Sequence, residues 1–152
     1  MSQSIDVLII GGGMITHDLL LPSVYHLQRT GRVGAITVSA LNSAPLRALS
    51  ESATLREAFP GLTFEALPPL SDPPNHLQPN LFKEAIRRLA PRQAVIVAVP
   101  DAFHYETVKE SLLHDQHVLC VKPLVLSHAQ AAEIGTLARD RGLYVGVEYH
   151  KR

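Results

Sequence analysis

Six short apolar runs, at residues 5–10, 35–41, 62–66, 94–99, 117–121 and 143–148, recur along the chain with helix-length intervals between them. Most are unbroken rather than alternating, which is the pattern of strands covered by helices on both faces of their sheet. Strands that alternate with helices require crossover connections, and crossovers give parallel pairing with right-handed connections. The spacing therefore predicts an α/β protein with a doubly wound parallel sheet of about six strands, in the order 3-2-1-4-5-6. A length of 152 residues matches one domain with a substantial core.

Helix boundaries are written in several places. Ser127 is placed to cap a helix whose buried face carries Ala131, Ile134 and Ala138, and Gly142 stands where that helix should stop. Tyr105, Val108 and Leu112 form a similar stripe on the helix before it. Two places resist the pattern. Pro22 falls inside the first predicted helix, where it removes one backbone hydrogen bond and should bend the helix. Pro68, Pro69, Pro73, Pro74 and Pro79 crowd residues 67–80, which read as an irregular, stiffened loop with no assigned function.

Composition narrows the partners. Lys plus Arg and Asp plus Glu each number 14, so no net charge favours nucleic acid or an anionic membrane, and a small molecule is the expected ligand. Cys120 is the single cysteine, which excludes an internal disulfide framework and a cysteine-rich zinc site and fits a reducing compartment. His114 and His117 flank a helix end without a completing carboxylate or thiol pattern, so no metal site is expected. There is no signal-peptide pattern and no apolar run near the roughly 20 residues that span a bilayer, so a soluble, cytoplasmic protein is expected.

Four predicted strand tips carry special residues. The first run enters Gly11-Gly12-Gly13-Met14-Ile15-Thr16, where Gly11 would permit a tight turn and Gly13 would let the backbone approach a pyrophosphate at a helix N-terminus. The bland alternative is a glycine-rich connection. The second run ends in Leu41-Asn42-Ser43-Ala44-Pro45-Leu46-Arg47, without the acid that usually holds an NAD ribose. Asn42, Ser43 and Arg47 could instead hold a 2′-phosphate, which favours NADP over NAD. Equally, Ser43 could be a helix cap and Arg47 a solvated charge. The fifth run ends at Lys122, followed by Pro123. An ammonium there can bind a substrate oxygen, stabilise developing alkoxide charge or take part in proton transfer. Val99, Pro100, Asp101 and His104 follow the fourth run, where they would border the nicotinamide side; His104 could contact it or merely orient its loop.

Taken in order, these segments resemble the glucose-fructose oxidoreductase and inositol dehydrogenase family, Gfo/Idh/MocA. The similarity runs through Gly11-Gly12-Gly13-Met14-Ile15 with Leu21-Pro22 downstream, then Ala98-Val99-Pro100-Asp101-Ala102-Phe103-His104. It continues through His117-Val118-Leu119-Cys120-Val121-Lys122-Pro123-Leu124 and ends at Val145-Gly146-Val147-Glu148-Tyr149-His150-Lys151-Arg152.

The resemblance implies an NAD(P)-dependent oxidoreductase of sugars, cyclitols or related polyols, in which Gly11, Gly13, Met14 and Ile15 cradle the pyrophosphate. It assigns Lys122 the role of the lysine in the family's Glu-Lys-Pro motif, near the nicotinamide and the substrate hydroxyl. Val121 replaces the glutamate of that motif. Residues 1–148 are then expected to be the nucleotide-binding Rossmann domain, with 149–152 opening the connection to an absent substrate domain. Binding without appreciable turnover is the expectation for the chain alone, and homo-oligomerisation is an open possibility. The alternative is a non-catalytic module that senses the nucleotide.

Overall fold

In the computed structural model, which describes residues 4–149, the strands are β1 (Ile5–Ile10), β2 (Val33–Ser39), β3 (Glu65–Leu67), β4 (Ala94–Val97), β5 (His117–Val121) and β6 (Val145–Glu148). They form one parallel sheet in the order β3-β2-β1-β4-β5-β6, as the alternation predicts. The helices are α1 (Leu21–Arg29), α2 (Ser43–Glu51), α3 (Ala53–Ala58), α4 (Leu81–Arg88), α5 (His104–Leu113) and α6 (His128–Arg141).

The apolar run Val7–Ile10 of β1 has a direct cause. Val7 and Ile9 pack with Leu21, Val24, Leu46 and Leu55 from α1–α3 on one face. Leu8 and Ile10 pack with Ile86, Val108, Leu112 and Ile134 from α4–α6 on the other. With both faces buried, no position of this strand can be polar without a partner.

Several strand ends differ from the sequence expectation. Ile10 pairs with Ser39 and Val97, so β2 and β4 lose their neighbour where β1 turns away. Leu41 consequently lies beyond β2 and is 50% exposed, although its apolar character reads as strand. At Pro22 the predicted disruption takes a specific form: a π-helical turn, Thr16–Leu20, precedes α1 and places the proline in its first turn. Wider π geometry accommodates a ring that would clash in a regular α-helix. Ser127 Oγ accepts from Gln130 N at 3.2 Å and Gly142 adopts φ 62°, so both ends of α6 fall where the sequence places them.

Of the expected connection at 149–152, only Tyr149 is among the described residues.

Candidate functional site

Register brings the tips of β1, β4 and β5 to one edge. Ile10 aligns with Val97 and Val97 with Cys120, so Gly11 and Ala98 leave the sheet beside Val121, the last residue of β5. Lys122 follows at the same edge, two strands from the glycine turn, or about 10 Å at the usual strand spacing.

The glycine turn is built by close backbone approach. Gly11 has φ 114°, and a Cβ there would lie 2.0 Å from Ala98 O; side chains other than hydrogen are excluded on both counts. Buried Thr16, at the position of the third small residue, donates from Oγ1 to Gly11 O at 2.6 Å and locks the turn to the helix behind it. Gly12 faces Pro45, its would-be Cβ 3.2 Å from the ring. At Gly13, by contrast, a Cβ would meet no atom within 4 Å.

That open space belongs to a cavity of about 580 Å³ lined by Gly11, Gly12, Gly13, Ser39, Ala40, Leu41, Pro45, Gln78, Pro79, Phe82, Val99, Pro100 and Phe103, among others. Of the sequence-predicted residues, Gly11, Gly13, Val99 and Pro100 line it. Met14, 79% exposed, and half-buried Ile15 continue from the turn into the first helical residues, outside that lining. Asp101 is exposed at the start of a short 3-10 turn, Asp101–Phe103. Lys122 is exposed and makes no hydrogen bond or ion pair with a described residue.

Three predicted contacts need correction. His104 is fully buried: its Nε2 lies 2.8 Å from Val99 O and its Nδ1 2.5 Å from Pro123 O. It orients the loops rather than bordering the nicotinamide side. Ser43 does not cap α2, because Asn42 does so by accepting from Ala44 N at 3.0 Å. The Ser43 hydroxyl is buried and donates to Asp72 O at 2.7 Å. Arg47 is neither a solvated charge nor turned to a ligand, since its Nε donates to Leu70 O at 2.6 Å and its Nη2 to Asp72 O at 2.7 Å.

Sequence reading missed Gln78, Pro79, Phe82 and Phe103 as lining residues. The proline cluster did mark the first two as lying in unusual backbone. Their placement follows from a bond between distant segments, Gln78 N to Leu41 O at 2.8 Å, which no local pattern reveals. Behind the site, burial and then the nearby Asp101 charge push the Cys120 thiol up to about 12, so it is an inert part of the core.

A family model described as the oxidoreductase family with an NAD-binding Rossmann fold matches residues 5–149. The chain belongs to the Gfo/Idh/MocA family. Among its curated relatives is the uncharacterized oxidoreductase YfiI of Bacillus subtilis, 39% identical over 69 residues, covering 45% of this chain and 18% of that protein. Another is the 1,5-anhydro-D-fructose reductase of Ensifer adhaerens, 34% identical over 59 residues, covering 39% of this chain and 18% of the reductase.

Solved oxidoreductase structures superpose over nearly the whole chain. An NAD-binding oxidoreductase from Klebsiella pneumoniae has a TM-score of 0.65 at 20% identity, covering 97% of this chain and 35% of its own. The 3-ketoreductase KijD10 of Actinomadura kijaniata, solved with NADP and TDP-benzene, has a TM-score of 0.66 at 23% identity, covering 95% and 37%. The chain thus spans little more than a third of these solved relatives. It is an NAD(P)-binding Rossmann domain of an oxidoreductase family. Among the described residues no helix is long and apolar enough to cross a membrane, and no group of three ligand-type side chains could hold a metal ion.

Proposed function

We propose that this chain is the cofactor-binding part of an NAD(P)-dependent oxidoreductase that interconverts a hydroxyl and a carbonyl on a sugar, cyclitol or related polyol. The observation supporting this reading is Lys122, an amine with no partner among the described residues, at the sheet edge that also carries the glycine turn and its cavity. The cavity fits the nucleotide half of such a cofactor: Gly13 leaves space for a pyrophosphate where any Cβ would intrude, and the following helix offers first-turn N–H groups.

The bound nicotinamide supplies the hydride chemistry. The protein's part is positional and electrostatic. Gly11 and Gly13 would hold the pyrophosphate, with Met14 and Ile15 presenting backbone N–H groups. Val99, Pro100 and Asp101 would border the nicotinamide, and His104 would keep that border joined to the Lys122 turn. Lys122 would bind the reacting oxygen and hold the charge that develops on it. Residues 1–148 would form the complete nucleotide-binding unit, and a polyol would need further walls, so the chain alone should bind nucleotide with little turnover. This reading holds for either nucleotide.

Assayed in a protein that joins this chain to a substrate domain, Lys122→Ala should lower kcat at least about a hundredfold, with nucleotide binding retained. Unchanged kcat would remove the role given to Lys122. Buried Val121, in the place of the family glutamate, favours one other reading, a module that binds nucleotide without catalysis. A complete protein that binds nucleotide yet oxidises no polyol would support it.

A further inference from the structure

The proline-rich segment 67–80 has no part in the reading above, yet it is fastened firmly. Ala40 N donates to Leu67 O at 2.9 Å and Gln78 N to Leu41 O at 2.8 Å. Ser43 and Arg47 add three more bonds, to Leu70 O and Asp72 O. All five tie the segment to the end of β2 or the start of α2. In a dinucleotide-binding fold this is where the adenosine ribose lies.

Gln78 and Pro79 carry the segment into the cavity wall, beside Leu41 and Pro45. The Gln78 amide is oriented from behind: Nε2 donates to Asp72 Oδ2 at 3.0 Å, leaving Oε1 as an acceptor that no described donor takes. An acceptor suits a ribose hydroxyl, which can donate. It does not suit a phosphate, whose oxygens are themselves acceptors. No lysine or arginine is among the described residues lining the cavity, and the Asp72 carboxylate stands one hydrogen bond behind its wall. A 2′-phosphate placed there would be desolvated beside a carboxylate, and the neighbouring Arg47 guanidinium lies outside the lining with its Nε and Nη2 already donated to Leu70 O and Asp72 O.

We propose that segment 67–80 is an adenosine-recognition strap that stands in for the missing acid at the β2 tip. In it Gln78 Oε1 accepts from the ribose and selects NAD over NADP. The proposal rests on the dinucleotide-binding reading and reverses the preference suggested by the polar β2 tip, whose Ser43 and Arg47 hold the strap instead.

Calorimetric titration of the 152-residue chain with NAD and NADP, separately, tests it. The wild type should bind NAD at least about tenfold more tightly than NADP. Gln78→Arg, which adds a cation to the wall, should move the affinity ratio about tenfold or more toward NADP. Gln78→Met, which keeps the volume but removes the acceptor, should weaken NAD about tenfold and leave NADP little changed. Equal or tighter NADP binding by the wild type overturns the strap proposal while the dinucleotide reading stands. An unchanged ratio in folded Gln78→Arg, or unchanged NAD affinity in folded Gln78→Met, overturns it in the same way. Should either variant fail to fold, the wild-type ratio still decides. Failure of the wild type to bind either nucleotide overturns both readings.

Discussion

His104 Nδ1 stands 2.5 Å from Pro123 O, and through this contact the turn after β4 is joined to the turn that carries Lys122. With Nε2 reaching Val99 O at 2.8 Å, one buried ring spans two strand connections. The relationship separates two kinds of residue at the same edge: a buried one that fixes the loops and an exposed one, Lys122, with no partner among the described residues.

Removing the ring should therefore be costly. His104→Ala is expected to destabilise the fold by about 2–4 kcal/mol, since it leaves a cavity and two carbonyl groups without their partner. Lys122→Ala should change stability by no more than about 0.5 kcal/mol, because the side chain is exposed and has no partner among the described residues. Denaturant unfolding monitored by circular dichroism checks both. Equal effects would contradict the division of labour.

Two glycines of one turn should respond oppositely. Gly11→Ala combines a 2.0 Å clash with Ala98 O and a φ of 114°, and should cost more than about 3 kcal/mol or prevent folding. Gly13→Ala meets no protein atom. It should fold normally and lose about tenfold or more in nucleotide affinity, read by thermal unfolding and calorimetry on the same samples.

The strap should loosen when its anchors are cut. Arg47→Ala removes the bonds to Leu70 O and Asp72 O. Faster amide exchange confined to residues 68–78 is expected, with a global loss of about 1–2 kcal/mol. Exchange unchanged in that segment would show that the other three bonds suffice.

Burial pushes the Cys120 thiol from near 9 up to about 12 and the Tyr25 hydroxyl from near 10 up to about 12. In the native state both groups keep their protons at a pH where the unfolded chain has begun to lose them. Stability should thus be fully present below pH 9 and fall as pH rises from about 9 toward 12. Thermal unfolding across that range checks the sign. Cys120 should also resist thiol reagents at pH 8 until denaturant is added.

The fold was legible because each buried strand carries its own apolar run, and because Ser127 and Gly142 mark a helix through local backbone chemistry. Strand ends were less so: Leu41 reads as strand, but pairing stops at Ser39 where β1 turns away. The glycine turn and Lys122 could be found by their position after apolar runs. The partners of Ser43, Arg47 and His104 could not, since each bonds a carbonyl on a segment far along the chain. A side chain's chemical type says what it can bind, whereas the backbone brought beside it decides which option is used.

Hydrogen–deuterium exchange with and without saturating NAD or NADP reads out whether the three strand tips meet on one ligand. Slowed exchange is expected together at residues 11–15, 99–103 and 122–125. Ligand binding that leaves residues 122–125 unprotected, or protects only segments away from this edge, would contradict a shared dinucleotide site with Lys122 at its reactive end.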